Sequence, residues 1–249
     1  MKTLAAFFAL IMVASGHPVE SHESNPLDDC VLALTFKEGP GAKDWSVDQR
    51  VIQSYFAGGT NSPRFIKGAF GLGGNAYAFS AYQQMDTVDN IKFATTESFT
   101  ISLWARPDSV ADSAAPKCLI DRNPPVFALA QLLQWPTGDD LYFRIRGDSG
   151  SLCAITRSAV LTAGVWHHVV CERNVGANTI QMWVNLIPGT PVTDATGAAI
   201  TCQPRFGTDA KTESSVTYEG QLADIFFWRR LLTSEERRWL HIQRRSKIP

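Results

Sequence analysis

Beyond its first residues the chain has no long hydrophobic run. After Val13 nothing approaches the roughly 18 uninterrupted apolar residues that a membrane-spanning helix requires, so no membrane insertion is expected. Charge of one sign is also missing. The formal net charge is −1, which leaves no overall field to draw the protein to nucleic acid or to an anionic bilayer. Of the cysteines Cys30, Cys118, Cys153, Cys171 and Cys202, no two stand close enough in sequence for the paired spacings of zinc sites. There is no Asn-x-Ser/Thr glycosylation sequon, no internal repeat and no low-complexity tract. Nor are there acidic residues two apart on a strand, the pattern that would set a general acid and a nucleophile side by side for glycoside cleavage. Asp139 and Asp140 are adjacent and follow Pro136-Thr137-Gly138, which reads as a turn. No catalytic centre is legible.

What is present begins with a targeting segment. Lys2, the apolar run Leu4–Val13 and the small residues Ala14-Ser15-Gly16 have the order of a secretory signal peptide over residues 1–16. The mature chain is then expected to be secreted and extracellular. Residues 17–29 are a polar, flexible leader, and residues 30–249 a single domain. Export favours disulfides. The five cysteines are an odd number, so at least one thiol is unpaired within a monomer. Such a thiol is either buried and inert or a route to oligomerisation with another chain.

From Cys30 onward short β-type runs alternate with Gly, Pro, Asn and Asp turns, the mark of an all-β sandwich or barrel. The clearest predicted strands are Val31–Phe36, Phe99–Ala105 (ending at Arg106-Pro107), Leu141–Arg146 and Leu152–Thr156 as a hairpin, Trp166–Cys171, Thr179–Val184 and Leu222–Trp228. Period-two alternation places one face of each on a core. Residues 108–125 read as a long loop around a short strand at Cys118-Leu119-Ile120. One helix is expected after Thr233. Thr233-Ser234-Glu235-Glu236 is a capping box, with Trp239 and Leu240 packing inward and Arg237 and Arg238 beginning the solvent side.

Three segments carry a family resemblance: SFTISLWARP at 98–107, WHHVVCERNVGANTIQMWVN at 166–185, and YEGQLADIFFWRRLLTSEERRWL at 218–240. In order and spacing they resemble the laminin-G-like and pentraxin-like jelly rolls of the concanavalin-A-like superfamily, with support from residues 32–36, 44–46 and 68–79. The resemblance implies a two-sheet antiparallel jelly-roll sandwich with a short C-terminal helix. It also implies a non-catalytic module that binds a glycan or an extracellular protein ligand. Departures are specific. The pentraxin calcium run is missing from residues 203–214, which hold only Asp209 and Glu213. Ser102 stands at one position of the pentraxin disulfide. Of the acidic pair in the last strand only Asp224 remains, beside Ala223. Asp224 is thus the one carboxylate the resemblance offers to a structural calcium ion, a cation that takes 6–8 oxygens.

Candidate binding residues follow. Arg146-Gly147-Asp148 is an integrin-type adhesion tripeptide in a Gly-rich turn, where a cation and a carboxylate are displayed at fixed separation. Good turn chemistry alone explains the same residues. Trp104 and Trp183 lie opposite the aliphatic faces of their strands and form a sugar-stacking platform if those strands are neighbours; packing is the plainer reading. His167 and His168 are adjacent and so diverge in a strand, which suits structural roles better than a metal clamp. The paired basics Arg229-Arg230, Arg237-Arg238 and Arg244-Arg245 suggest either a sulfated-glycan stripe or a solvated face. A glycoside hydrolase with its acids on distant loops is the remaining alternative.

Overall fold

The computed structural model describes residues 28–36, 43–56, 63–67, 75–80, 83–111, 117–122, 129–134, 137–147, 151–207 and 217–245. In chain order its strands begin with β1 (Cys30–Leu34), β2 (Ile52–Phe56), β3 (Arg64–Ile66), β4 (Ala76–Phe79), β5 (Gln83–Thr87), β6 (Ile91–Phe93) and β7 (Phe99–Pro107). They continue with β8 (Lys117–Arg122), β9 (Leu129–Gln134), β10 (Leu141–Arg146), β11 (Leu152–Arg157), β12 (His167–Asn174) and β13 (Thr179–Val184). The last are β14 (Ile187–Pro188), β15 (Val192–Thr193), β16 (Ile200–Cys202), β17 (Pro204–Phe206) and β18 (Gly220–Trp228), followed by helix α1 (Ser234–Arg245).

The strands form two antiparallel sheets and a small ribbon. The nine-stranded sheet runs β14-β13-β12-β7-β18-β4-β3, with β1 also on β18 and β15 also on β13. The seven-stranded sheet runs β11-β10-β9-β8-β17-β5-β2, and β16 pairs with β6. This is the expected jelly-roll sandwich. Alternation explains it directly in β10, where Leu141, Phe143 and Ile145 are buried while Tyr142, Arg144 and Arg146 are half-buried. β13 repeats the pattern. The main core joins the inner faces, with Leu32, Phe99, Ile101, Leu103, Val169, Cys171, Ile225 and Phe227 from one sheet and Met85, Ile120, Leu132, Phe143 and Phe206 from the other.

β7 and β18 are buried on both faces because a second, smaller core lies outside the nine-stranded sheet. Cys30, Ala33, Phe226, Trp228 and Leu232 form it, and Leu240 of α1 closes it. The capping box forms as expected. The Glu236 amide donates to Thr233 Oγ1 at 3.1 Å, and the Thr233 amide donates to Glu236 Oε2 at 2.8 Å.

The helix face differs from expectation. Arg237, Leu240 and His241 turn to the sheet, whereas Trp239 is 36% exposed. Arg237 donates to Glu172 Oε1 at 2.8 Å and its guanidinium lies 4.6 Å from the Trp183 ring centre. Arg229 pairs with Glu97 and Arg230 with Glu236. Three of the expected basic-stripe residues are therefore occupied internally. β7 also continues through Arg106 and Pro107 instead of stopping there, since Arg106 and Pro107 pair with Gln221 and Gly220 of β18. The short strand expected at Cys118 is the six-residue β8.

No disulfide forms. All five cysteines are buried free thiols, so the expectation of disulfides is corrected. Cys171 belongs to the main core and Cys30 to the outer one, on opposite sides of the same sheet. Burial pushes the Cys30 and Cys202 thiols up to about 12, which keeps them protonated and poor at exchange. The proposed signal peptide and most of the leader lie outside the described residues.

Candidate ligand-binding site

The two outward faces of the sandwich are chemically unlike. On the nine-stranded sheet, β7 and β12 are neighbours with Trp104 opposite His168, and β13 brings Trp183 opposite Val170. Strand adjacency thus meets the condition for a tryptophan platform, but the helix covers it. Trp104 is 2% exposed and stacks on His168 and on His241 of α1, with ring centres 5.1 and 5.4 Å away. Trp183 carries the Arg237 guanidinium. The pair forms no open stacking surface.

Asp224 lies beneath the same helix. It occupies a bulge of β18 between Ala223 and Phe226 with φ of 46°. Together with Ser102, Trp104, His168, Phe226 and Leu240 it encloses about 10 Å³, at most one water. One carboxylate and one hydroxyl do not make a calcium shell, and no group of three or more His, Cys, Asp or Glu side chains suited to a metal occurs among the described residues. The residues around Asp224 do not fit a calcium ion.

The histidines have structural partners. His167 Nε2 accepts the Thr162 amide at 3.0 Å. His168 Nε2 and Ser102 Oγ share a hydrogen bond of 2.9 Å, and burial, with His241 nearby, pulls the His168 pKa down to about 3.

The seven-stranded sheet differs in having a polar outward side. Its outward side carries a row of polar residues running strand to strand. Arg144 on β10 donates through Nε to Gln131 Oε1 on β9, and Gln131 Nε2 donates to Asp121 Oδ1 on β8. Arg205 on β17 stands in register with both Asp121 and Asp86. It donates to Asp86 on β5 through Nε at 3.0 Å and through Nη2 at 3.0 Å. Gln131, Asp121, Arg205 and Asp86 are buried, while Arg144 and its strand neighbour Tyr142 remain partly open. Burying charge is costly unless every member is paired, and this row pairs its members so that the open guanidinium at its end is held in place.

Arg146 ends β10 on this same side, opposite Leu129 and Leu152. The Gly147 amide donates to Ser151 O at 3.0 Å, and Gly147 is buried; a Cβ there would lie 2.6 Å from Ala198 Cβ. Gly147 is therefore a packed strand end, not the tip of a free turn. Asp148 lies outside the described residues. The Asp139-Asp140 turn is present, with the Asp140 amide on Thr137 O at 3.1 Å and Asp140 Oδ1 accepting the Ala159 amide at 2.8 Å.

Beside β11, the edge strand of this sheet, runs a groove of about 440 Å³. Residues 154–158 line one side, and residues 188–190 with Val192 the other. Its size falls within the range of small-ligand sites. Arg157 crosses from β11 to the other sheet, where its Nη1 donates to Ile187 O at 2.8 Å and to Met182 O at 3.3 Å. Gly189 makes room for it: a Cβ at that position would sit 2.7 Å from Arg157 Cδ. Neither the polar row nor the groove was read from the sequence. The available signal was the alternation of β10, which puts Tyr142, Arg144 and Arg146 on one face.

Comparison with known proteins agrees with this architecture. The family model of the concanavalin A-like lectin/glucanases superfamily matches residues 79–236. No curated protein matches the chain in sequence. Among solved structures, the binding domain of Paraclostridial Mosquitocidal Protein 1 superposes with a TM-score of 0.69 at 16% identity, covering 87% of this chain and 52% of that one. The botulinum neurotoxin serotype G binding domain gives 0.66 at 12%, covering 86% and 51%. The serotype D ligand-binding domain, solved in complex with N-acetylneuraminic acid, gives 0.65 at 12%, covering 88% and 51%. The chain spans about half the length of each of these structures. With the sandwich topology and a family match over well more than half its length, the chain belongs to the concanavalin A-like lectin/glucanases superfamily.

Proposed function

We propose that this protein is a secreted, non-catalytic module that binds a glycan on the outward face of the seven-stranded sheet, along β10 and β11. The observation that carries this is the partly open Arg144 guanidinium, held by Gln131 and through it by Asp121. A donor fixed before the ligand arrives loses little entropy on binding. Tyr142 beside it supplies a ring edge and a hydroxyl. The structural neighbours are toxin binding domains, one of them bound to N-acetylneuraminic acid. The family name spans lectins and glucanases, so it is the carboxylates that favour binding over hydrolysis. Asp86 accepts from Arg205 through both oxygens and Asp121 accepts from Gln131, so both carboxylates are buried and engaged within the row instead of lining an open cleft. The adhesion reading of Arg146-Gly147-Asp148 has less support, since Gly147 is packed. Export rests on Lys2 and the Leu4–Val13 run.

The test is a broad glycan array with the purified mature protein, run with calcium and with a chelator. Selective binding that survives the chelator and weakens about tenfold or more in a folded Arg144→Ala variant is expected. Silence across the array from a folded protein would sink the reading.

A further inference from the structure

The groove beside β11 contains a cation, Arg157, whose charge no carboxylate answers among the described residues. None of the ion pairs among the described residues includes Arg157. Its partners are the carbonyls of Met182 and Ile187, and both are met by Nη1 alone. Nε and Nη2 donate to no described residue. These two atoms form one edge of the guanidinium, the edge that takes a carboxylate through two parallel hydrogen bonds. The carbonyls do more than satisfy one nitrogen. They fix the plane of the guanidinium, and Gly189 leaves the space in which its stem lies. A purely structural strap would also be met by lysine, whereas a planar fork with one edge occupied and the other open is suited to a planar anion.

The rest of the groove is furnished for a sugar. Thr156, Ser158 and Thr190 are exposed hydroxyl side chains along its walls, and Pro188 and Val192 provide apolar surface for the C–H face of a ring. Thr156 stands on the outward side of β11, opposite Tyr142 of β10, whereas Arg157 stands opposite Leu141 on the inner side, so the groove lies at the strand edge that borders the face on which the glycan was placed above.

We propose that the groove binds the carboxylate of an acidic sugar through the Nε and Nη2 edge of Arg157, and that this contact sets the protein's preference for acidic over neutral glycans. The proposal rests on the glycan-binding function put forward above and adds the chemical class of the ligand. Carboxylates of this kind occur in sialic acids and in uronic acids; the shared group is the planar anion on a pyranose ring.

The experiment compares each acid with its own methyl ester on the wild-type protein, using sialyllactose and a trigalacturonate as probes and isothermal titration as the readout. The ester keeps every ring contact and removes the charge. The expected result is about tenfold or greater weakening for the ester of whichever probe binds, with the probe that binds identifying the source. Arg157→Lys, which keeps the charge without the fork, should weaken the acid by a similar factor and leave the ester unchanged. Acid and ester binding equally well to the wild type would overturn the acidic-sugar proposal while leaving the glycan-binding function intact. Failure of every glycan, acidic or neutral, would remove both. The ester comparison needs no variant to fold.

Discussion

His168 shows how a residue's neighbours decide its chemistry. In the sequence it is one of two adjacent histidines after Trp166. In the fold it shares a hydrogen bond with Ser102 and lies between the Trp104 and His241 rings. Burial first, and then His241, bring its pKa from the ordinary 6.5 to about 3. Between these two values the unfolded chain takes up a proton that the folded protein refuses, so stability falls as pH drops through that window and is level above it. From pH 7 to pH 5 the loss is about 2 kcal/mol, from a slope near 1.4 kcal/mol per pH unit below the unfolded pKa. Urea titrations at the two pH values should show that difference shrink in His168→Gln, and an unchanged difference would mean the ring is not buried neutral. The sequence put His168 correctly on a strand but left its partners unknown. Ser102 lies 66 residues away and His241 on another element. Arg157 was invisible for the same reason, because the carbonyls that orient it are 25 and 30 residues distant.

Elements were legible where periodicity survived. β10 and β13 alternate strictly and were found, and so was α1, whose capping box is local. Thr233→Ala removes the side-chain half of that box and should cost about 1 kcal/mol of stability in a denaturant titration. No change would mean that the Glu236–Arg230 ion pair alone holds the first turn. β5 was missed because Gln83-Gln84-Met85-Asp86-Thr87 is buried on both faces and its polar residues are internal. The row through Asp86, Arg205, Asp121 and Gln131 replaces the polar-out pattern that marks an ordinary outer strand. The facing of α1 was misjudged because a 12-residue helix beginning at Ser234 can turn either side to a sheet. Glu172 and Trp183, which receive Arg237, settle the choice.

As a whole the molecule is a sandwich with one covered face and one polar face. Helix α1 buries Trp104 and the outer cluster around Phe226 and Trp228. A chain ending at Leu232 should therefore bind a hydrophobic dye strongly and unfold at lower temperature than the full chain, because an apolar face of this kind is not stable in water. Equal dye binding and an equal melting temperature would show that the helix is not what covers the face. Composition and alternation were enough to determine an all-β sandwich, because two-residue periodicity is a local property of each strand. The segments at 98–107, 166–185 and 218–240 were enough to place the chain in its superfamily. The tertiary structure alone decided which tryptophans are covered, that the five thiols stay apart, and that Arg144 and Arg157 are the guanidinium groups held in position on the outward face and in the groove. Each of those outcomes depends on which distant strand lies alongside, and pairing between strands far apart in the chain leaves no periodic trace in either of them.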